Sequence, residues 1–359
     1  MTFSLNDEQR MLKDAARDFF REQAPVARLR KQRDAKQNGR DPELWSQIAA
    51  LGFAGVIIPE EYGGAGLGYV ALGAVLEEGG RTLVASPLHS SALAGASALL
   101  LAGTDAQKQE WLPKIAAGEV VATLAVDEGA HHAPRTKSKL KFEDGKLSGD
   151  KKYVADGHIA DLIIVIGADA LFLVKADAAG FTRRELITAD SRGAADLKLD
   201  GVAAEKMNGG AEIIDEVLDR ARIGLAAEML GQASEAFEIT SEYLKTRKQF
   251  GQVIGGFQAL QHRAAKLFTD LELTRSCVLA ALDALDRSDK RIAEYASLAK
   301  ARASETLHLA TNEMVQLHGG IGMTDEHDAG LYLKRARVAE ALYGGASFHR
   351  DRYATLLGF

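Results

Sequence analysis

Between residues 211 and 317 apolar side chains return at helical spacing over three long stretches, 211–247, 257–287 and 290–317. Gly251, Gly255 and Gly256 punctuate them, then Gly319, Gly320 and Gly322. Helices of that length cannot bury their apolar stripes alone, so they are expected to pack side by side as a bundle. The segment before them follows a different period. From Val120 to about Glu205 the apolar residues come in short or alternating runs (VVATLAV, KLKF, KLSGDKKYV, LIIVIG, ALFLVKA), the pattern of a β region. Asp144-Gly145 between two of these runs predicts a tight hairpin, and Asp156-Gly157 a weaker one. The first third is helical again. Asn6 and Gln9 form a capping pair ahead of Met11, Leu12, Ala15 and Phe19, and Asp41-Pro42 starts a helix that Gly52 stops. Further helices are expected over 69–78, 92–101 and 105–117. The predicted organisation is an N-terminal helical domain (1–118), a middle β domain (119–208) and a C-terminal helical bundle (209–359), without a repeat of fixed period.

Composition narrows the function. A 47% hydrophobic, 26% charged chain of 359 residues can bury a large core. Forty-four basic against fifty acidic residues argues against a nucleic-acid partner, whose phosphates require an excess of positive charge. The one basic cluster, Arg28, Arg30, Lys31, Arg33 and Lys36, has no interleaved aromatics and reads as a solvated surface. The single cysteine, Cys277, excludes an internal disulfide and a thiolate metal cluster; it reads as core filler in a chain from a reducing compartment. The first ten residues lack the basic start and apolar run of a secretion signal. The most apolar stretch, 162–174, is short and interrupted by Asp169, so no membrane partner and a cytoplasmic location are expected. His131-His132 reads as a surface pair, His318 as a packed side chain, and Trp45 and Trp111 as packing residues.

Three glycine-bearing junctions remain. RKQFGQVIGGFQ (247–258) offers Arg247 to an anion and Phe250 to a flat ring. QLHGGIGMTDEHD (316–328) puts adjacent glycines at a helix junction, where bare backbone can approach a diphosphate or ribose; no strand precedes it, which excludes a Rossmann nicotinamide site. ALYGGASFHR (341–350) bends at Gly344 and Gly345 with no acid between Tyr343 and Phe348.

Together with PEEYGGAGLG (59–68), GDKKYVADG (149–157) and LYLKRARVAEALYGGAS (331–347), these motifs, in order over nearly the whole chain, resemble those of the acyl-CoA dehydrogenase family. The resemblance implies a mainly α fold with a central β domain: a helical N-terminal domain, a barrel-like middle domain and a C-terminal four-helix bundle. It also implies FAD and an acyl-CoA thioester. Arg247, Gln249, Phe250, Phe257, Gln258, Gln316, Gly319 and Gly320 would contact the ADP part of a neighbouring subunit's FAD across a dimer interface, and Arg222 would meet the substrate.

Desaturating an acyl-CoA removes an α-proton while a hydride leaves the β-carbon, and the protein must supply a base. At the position where the family usually carries its glutamate this sequence has Gly344; at the position a minority uses, before the helix arginine, it has Ala221. The catalytic residue is therefore unassigned. Tyr153, Ala155 and Ala346 depart from the family at flavin-facing positions, and Asp127, in DEGAHHAPR, replaces a threonine and would repel an anionic reduced flavin. Of the other carboxylates, Glu340 lies nearby in sequence, Asp219 falls off the required helix face and Glu228 falls near the bundle interior. The expectation is a base-lacking subunit of a hetero-oligomer, with a sister subunit supplying ring and base. The alternatives are a homo-oligomer with a relocated carboxylate, and a non-enzymatic structural partner of a redox subunit.

Overall fold

The computed structural model describes residues 5–133 and 135–359. Six α-helices precede the first strand: α1 (Asp7–Gln23), α2 (Val26–Asp34), α3 (Pro42–Ala50), α4 (Gly68–Arg81), α5 (Ala96–Ala102) and α6 (Asp105–Ala116). The capping box at α1 is complete: Asn6 Oδ1 accepts the Gln9 N–H at 2.8 Å, and Gln9 Oε1 accepts the Asn6 N–H at 3.0 Å. Asp41 caps α3 through the Leu44 N–H, and Gly52, at φ 78°, ends the turn that follows. The helix expected from residue 92 differs in kind. A buried π-helix, Leu88–Gly95, leads into α5 and carries His89, Ser90 and Ser91 on its wide turns.

The strands are β1 (Ala122–Ala125), β2 (Lys141–Glu143), β3 (Lys146–Ala155), β4 (Leu162–Ile166), β5 (Leu171–Lys175), β6 (Phe181–Leu186), β7 (Ala194–Ala203) and β8 (Glu205–Lys206). Among the described residues they form two four-stranded sheets, ordered β1-β4-β5-β8 and β2-β3-β7-β6, and only β1 and β4 pair in parallel. Among the described residues neither sheet closes on itself, so the barrel-like expectation gives way to two open sheets, bridged by a Phe142–Phe172 ring contact at 4.6 Å. Asp144 and Gly145, both at positive φ, make the expected hairpin between β2 and β3. Asp156-Gly157 does not make one. It carries the chain from β3 in one sheet to β4 in the other, with the Asp156 C=O accepting the Ile159 and Ala160 N–H groups.

The bundle consists of α7 (Ala211–Thr246), α8 (Gln258–Asp286) and α9 (Ile292–His318), with α10 (Ala329–Ala341) and α11 (Ala346–Leu356) packed on α9. A small ribbon of β9 (Lys248–Gln249) and β10 (Gln252–Val253) joins α7 to α8. Among the described residues no helix is long and apolar enough to cross a membrane. Two expectations are corrected. Arg28, Arg30 and Arg33 are partly exposed but ion-paired rather than free in solvent: Arg28 grips Asp41 at 2.6 and 2.9 Å, Arg30 reaches Asp328 at 2.6 Å, and Arg33 holds both Asp325 oxygens at 2.6 and 2.7 Å. The last two pairs tie α2 to the turn before α10. Cys277 is only half-buried on α8, not core filler. Trp45 and Trp111 do pack, Trp45 donating to the Gly118 C=O at 3.0 Å.

Helix α4 lies against α7 backbone to backbone. A Cβ on Gly231 would stand 1.8 Å from the Glu77 C=O oxygen, and one on Gly80 would stand 2.2 Å from that of Glu228. Gly231→Ala is therefore expected to lower stability by about 1–3 kcal/mol or more through overpacking. Gly330→Ala, on α10 with nothing within 4 Å of an added Cβ, should be neutral or stabilising. Urea unfolding midpoints of the two variants check the contrast.

Candidate functional site

The π-helix, the β3 end, the loop before β7 and the α10–α11 junction enclose a cleft of about 800 Å³. A second cleft of about 530 Å³ shares its Asp127–His132 wall and Phe348, and is lined on its far side by Lys137, Lys151, Arg222 and Arg352.

The bend between α10 and α11 is held from three sides. Lys300, fully buried, donates to the Glu340 and Gly344 C=O groups, both at 3.1 Å, and to Ser304 Oγ at 3.2 Å. His349 Nε2 donates to the Tyr343 C=O at 3.1 Å, and Arg222 Nε approaches the same oxygen at 3.3 Å. Burial pulls the Lys300 ammonium down to about 7 and the His349 imidazole to about 2. Tyr343 and Gly344 both adopt positive φ, 57° and 104°. A Cβ on Gly344 would lie 2.5 Å from Phe348 Cδ1. The position holds more than a missing acid: its backbone suits glycine and a phenyl ring takes the space.

Ala221 is sealed in α7, and its C=O accepts a hydrogen bond from His89 Nε2 at 2.9 Å. A carbonyl can only accept, so Nε2 carries the proton and Nδ1 the lone pair. The His89 ring also stacks on Tyr343 at 5.8 Å, and so stands between the two positions that lack an acid.

Behind this wall lies a buried ion cluster. Glu228 Oε1 accepts from Arg192 Nη1 at 2.8 Å and from Arg335 Nε and Nη2 at 3.1 and 2.9 Å, while Arg335 Nη1 donates to Asp190 Oδ2 at 2.8 Å. Burial pushes the Glu228 carboxyl up, but the two guanidiniums outweigh it and hold it at about 2. Asp156 has no such partner among the described residues. Burial raises it to about 6, opposed by a 2.5 Å hydrogen bond from Ser90 Oγ.

The sequence-derived residues fall into two groups. Arg247, Gln249, Phe250, Phe257, Gln258, Gln316, Gly319 and Gly320 gather at the C-terminal ends of α7 and α9, which Tyr243 joins by stacking on His318 at 4.3 Å. None of the eight lines either cleft. The Phe250 ring is 90% exposed, and Gly319 and Gly320 have open space where a Cβ would stand. Arg222 lines the smaller cleft but is already paired with Asp219 at 2.9 Å, which also holds Arg352. Glu340 turns to His308 and Arg337 instead. Among the described residues only Asp127, Asp156 and Asp190 bring carboxylates to the larger cleft. His318 is packed as expected. His132 is not the surface residue expected: its ring is 6% exposed, with Nδ1 2.9 Å from Asp127 Oδ1, Nε2 3.4 Å from Arg222 and Phe348 edge-on at 4.8 Å. His131 is exposed, and Pro134 of the same motif lies outside the described residues. His89 carried no sequence signal; its role follows from contact with residues 132 and 254 positions downstream.

Residues 6–119 match the family described as acyl-CoA dehydrogenase, N-terminal domain, and residues 208–357 match acyl-CoA dehydrogenase, C-terminal domain. The chain is 33% identical over 338 residues to acyl-CoA dehydrogenase IpdE2 of Mycobacterium tuberculosis, covering 94% of this chain and 93% of that protein. A Tcur3481-Tcur3483 steroid ACAD variant superposes with a TM-score of 0.90 at 32% identity, over 99% of this chain and 98% of that one. The ChsE4-ChsE5 complex from Mycobacterium tuberculosis gives 0.89 at 26% identity, over 99% of both.

Two outcomes follow from the site. Folded Asp156 keeps a proton to higher pH than the unfolded chain does, so its burial costs stability as pH rises from about 4 through 6. Asp156→Asn is expected to raise unfolding free energy at pH 7.5 by roughly 1–3 kcal/mol, the gain vanishing near pH 4; urea titrations at the two pH values measure it. Gly344→Ala should cost about 1–3 kcal/mol through its positive φ and the Phe348 overlap, read as a fall in Tm.

Proposed function

This chain belongs to the acyl-CoA dehydrogenase family, and from that premise we propose that it is the base-lacking subunit of a hetero-oligomeric acyl-CoA dehydrogenase, one that grips the nucleotide end of a sister subunit's FAD. One observation carries the reading: the usual base position is Gly344, at φ 104°, with Phe348 in the space an acid would need. The minority position, Ala221, is buried and its carbonyl is bound by His89. A base relocated to Glu228, Asp219, Glu340 or Asp190 is opposed by their ion pairs, and one at Asp127 by its His132 contact. Asp156, without an ion pair among the described residues, is the one carboxylate of the larger cleft to which that opposition does not extend.

The two ends of FAD fit this chain unequally. At the nucleotide end Arg247 makes no ion pair with a described residue, Phe250 exposes its ring and Gly319 and Gly320 leave bare backbone, a set suited to a diphosphate and a flat base. At the ring end Asp127 presents an acceptor-only carboxylate where negative charge accumulates on reduction, which does not fit. FAD supplies the hydride acceptor when bound, and no redox step is assigned to this chain's own cleft. Arg247 stands 26 residues beyond Ala221 on α7, about 39 Å at 1.5 Å per residue, which favours service to a different subunit. The basic wall of the smaller cleft, with Lys137, Lys139 and Arg352, suits the phosphates of CoA. The ChsE4-ChsE5 relative is itself a complex of two differently named chains.

The chain purified alone is expected to be colourless and that co-purified with its sister subunit yellow. A yellow chain that bleaches anaerobically with acyl-CoA on its own would overturn the proposal. Arg247→Ala should weaken flavin retention by the assembled complex by about 1.5–3 kcal/mol, roughly ten- to a hundredfold in affinity, read as the flavin-to-protein absorbance ratio.

A further inference from the structure

His89 and Asp156 bring two acceptors to the larger cleft. His89 Nε2 is committed to the Ala221 C=O, which leaves Nδ1 an acceptor, and burial keeps the imidazole neutral. On the next residue, Ser90 donates to Asp156 Oδ2, which leaves Oδ1 an acceptor. Neither His89 Nδ1 nor Asp156 Oδ1 meets a donor among the described residues, neither is sealed from solvent, and both side chains line the cleft.

The nearby cations cannot answer them. Arg335 is spent on Glu228 and Asp190, and Arg192 reaches Glu228 with Nη1 while its Nε and Nη2 are buried. At the rim Arg337 is held by Glu340 and Asn312. A carboxylate entering here would meet Asp156, beside arginines whose charge is already matched by Glu228, Asp190 and Glu340. A plain hydrocarbon end would cover two acceptors without pairing them, at the cost of their lost hydration. A neutral group that donates a hydrogen bond satisfies both conditions.

We propose that this cleft takes an acyl group bearing a hydroxyl, whose O–H is read by His89 Nδ1 and Asp156 Oδ1. Leu186, Ile187, Ala194, Val338, Ala341 and Leu342 add apolar lining that suits the carbon skeleton. The assignment rests on the acyl-CoA reading above but requires neither a base nor a flavin in this chain, because it concerns binding alone. It makes His89 and Asp156 specificity residues, and a site that hydrogen-bonds a ligand hydroxyl discriminates against the analogue lacking it.

The test is calorimetric titration of the protein, as the assembled complex and as the isolated chain, with acyl-CoA thioesters of four, six and eight carbons. Each chain length is offered with a terminal hydroxyl, methyl or carboxylate. At the length that reaches the pair, the hydroxylated thioester is expected to bind at least tenfold more tightly than the methyl one, and the carboxylate most weakly. His89→Phe should bring the hydroxyl and methyl forms within twofold of each other. If that variant does not fold, Asp156→Asn, which keeps the side-chain shape, should narrow the preference at least threefold. Equal binding of hydroxyl and methyl forms at every length, or tightest binding of the carboxylate, overturns the hydroxyl assignment and leaves the acyl-CoA reading standing. Failure of all nine thioesters to bind overturns both. A hydroxyl preference that survives both variants removes His89 and Asp156 from the site.

Discussion

A carboxylate in the middle of a 36-residue helix is tolerated only because two guanidiniums reach it from separate parts of the chain. Glu228 on α7 is met by Arg192 from the loop before β7 and by Arg335 from α10, and Arg335 in turn holds Asp190 in that same loop. One cluster therefore fastens the sheet region, the long helix and the segment leading into the bend. Its strength is conditional. A buried ion pair gains little over a well-packed apolar alternative, but losing one member strands a charge at a cost of roughly 3–5 kcal/mol. The cluster thus fixes where α10 sits on α7 more than it adds to overall stability, and the cleft exists in the space that placement leaves.

The bend after α10 inherits that placement. Lys300, His349 and Arg222 direct three donors at the carbonyls of Tyr343 and Gly344, more than a free turn requires. A buried ammonium with carbonyls and a hydroxyl as its partners carries a desolvation cost that only a full set of hydrogen bonds offsets. With those carbonyls fixed, the φ of Gly344 and the seat of Phe348 follow. Phe348 then occupies the space that a side chain at residue 344 would need.

What was legible in the sequence was whatever near neighbours decide. The Asn6–Gln9 capping box and the Asp144-Gly145 hairpin have both partners within a few residues, and the long helices announce themselves through their period. The second Asp-Gly pair shows the limit. Asp156-Gly157 has the same chemistry as Asp144-Gly145, yet its flanking strands belong to different sheets, a fact fixed by pairing with β1 and β7 far along the chain. Arg30 and Arg33 find their acids some 290 residues downstream, so a basic run without interleaved aromatics read as a solvated face where the fold makes a clamp. His132 was misread for the same reason: a loop histidine gives no periodic signal, and one of its partners, Arg222, is 90 residues away.

The same distinction separates the charged groups at the cleft into two kinds. Glu228, Asp190, Arg192 and Arg335 neutralise one another, so their charge is spent internally and contributes little field at the cleft surface. His89 and Asp156 differ because their hydrogen bonds are incomplete: each has one polar atom committed to the protein and one that meets no donor among the described residues, on side chains that line a space of about 800 Å³. A ligand at that end is selected by the direction of its hydrogen bonds rather than by its charge, because the fold has used the nearby cations to hold itself together.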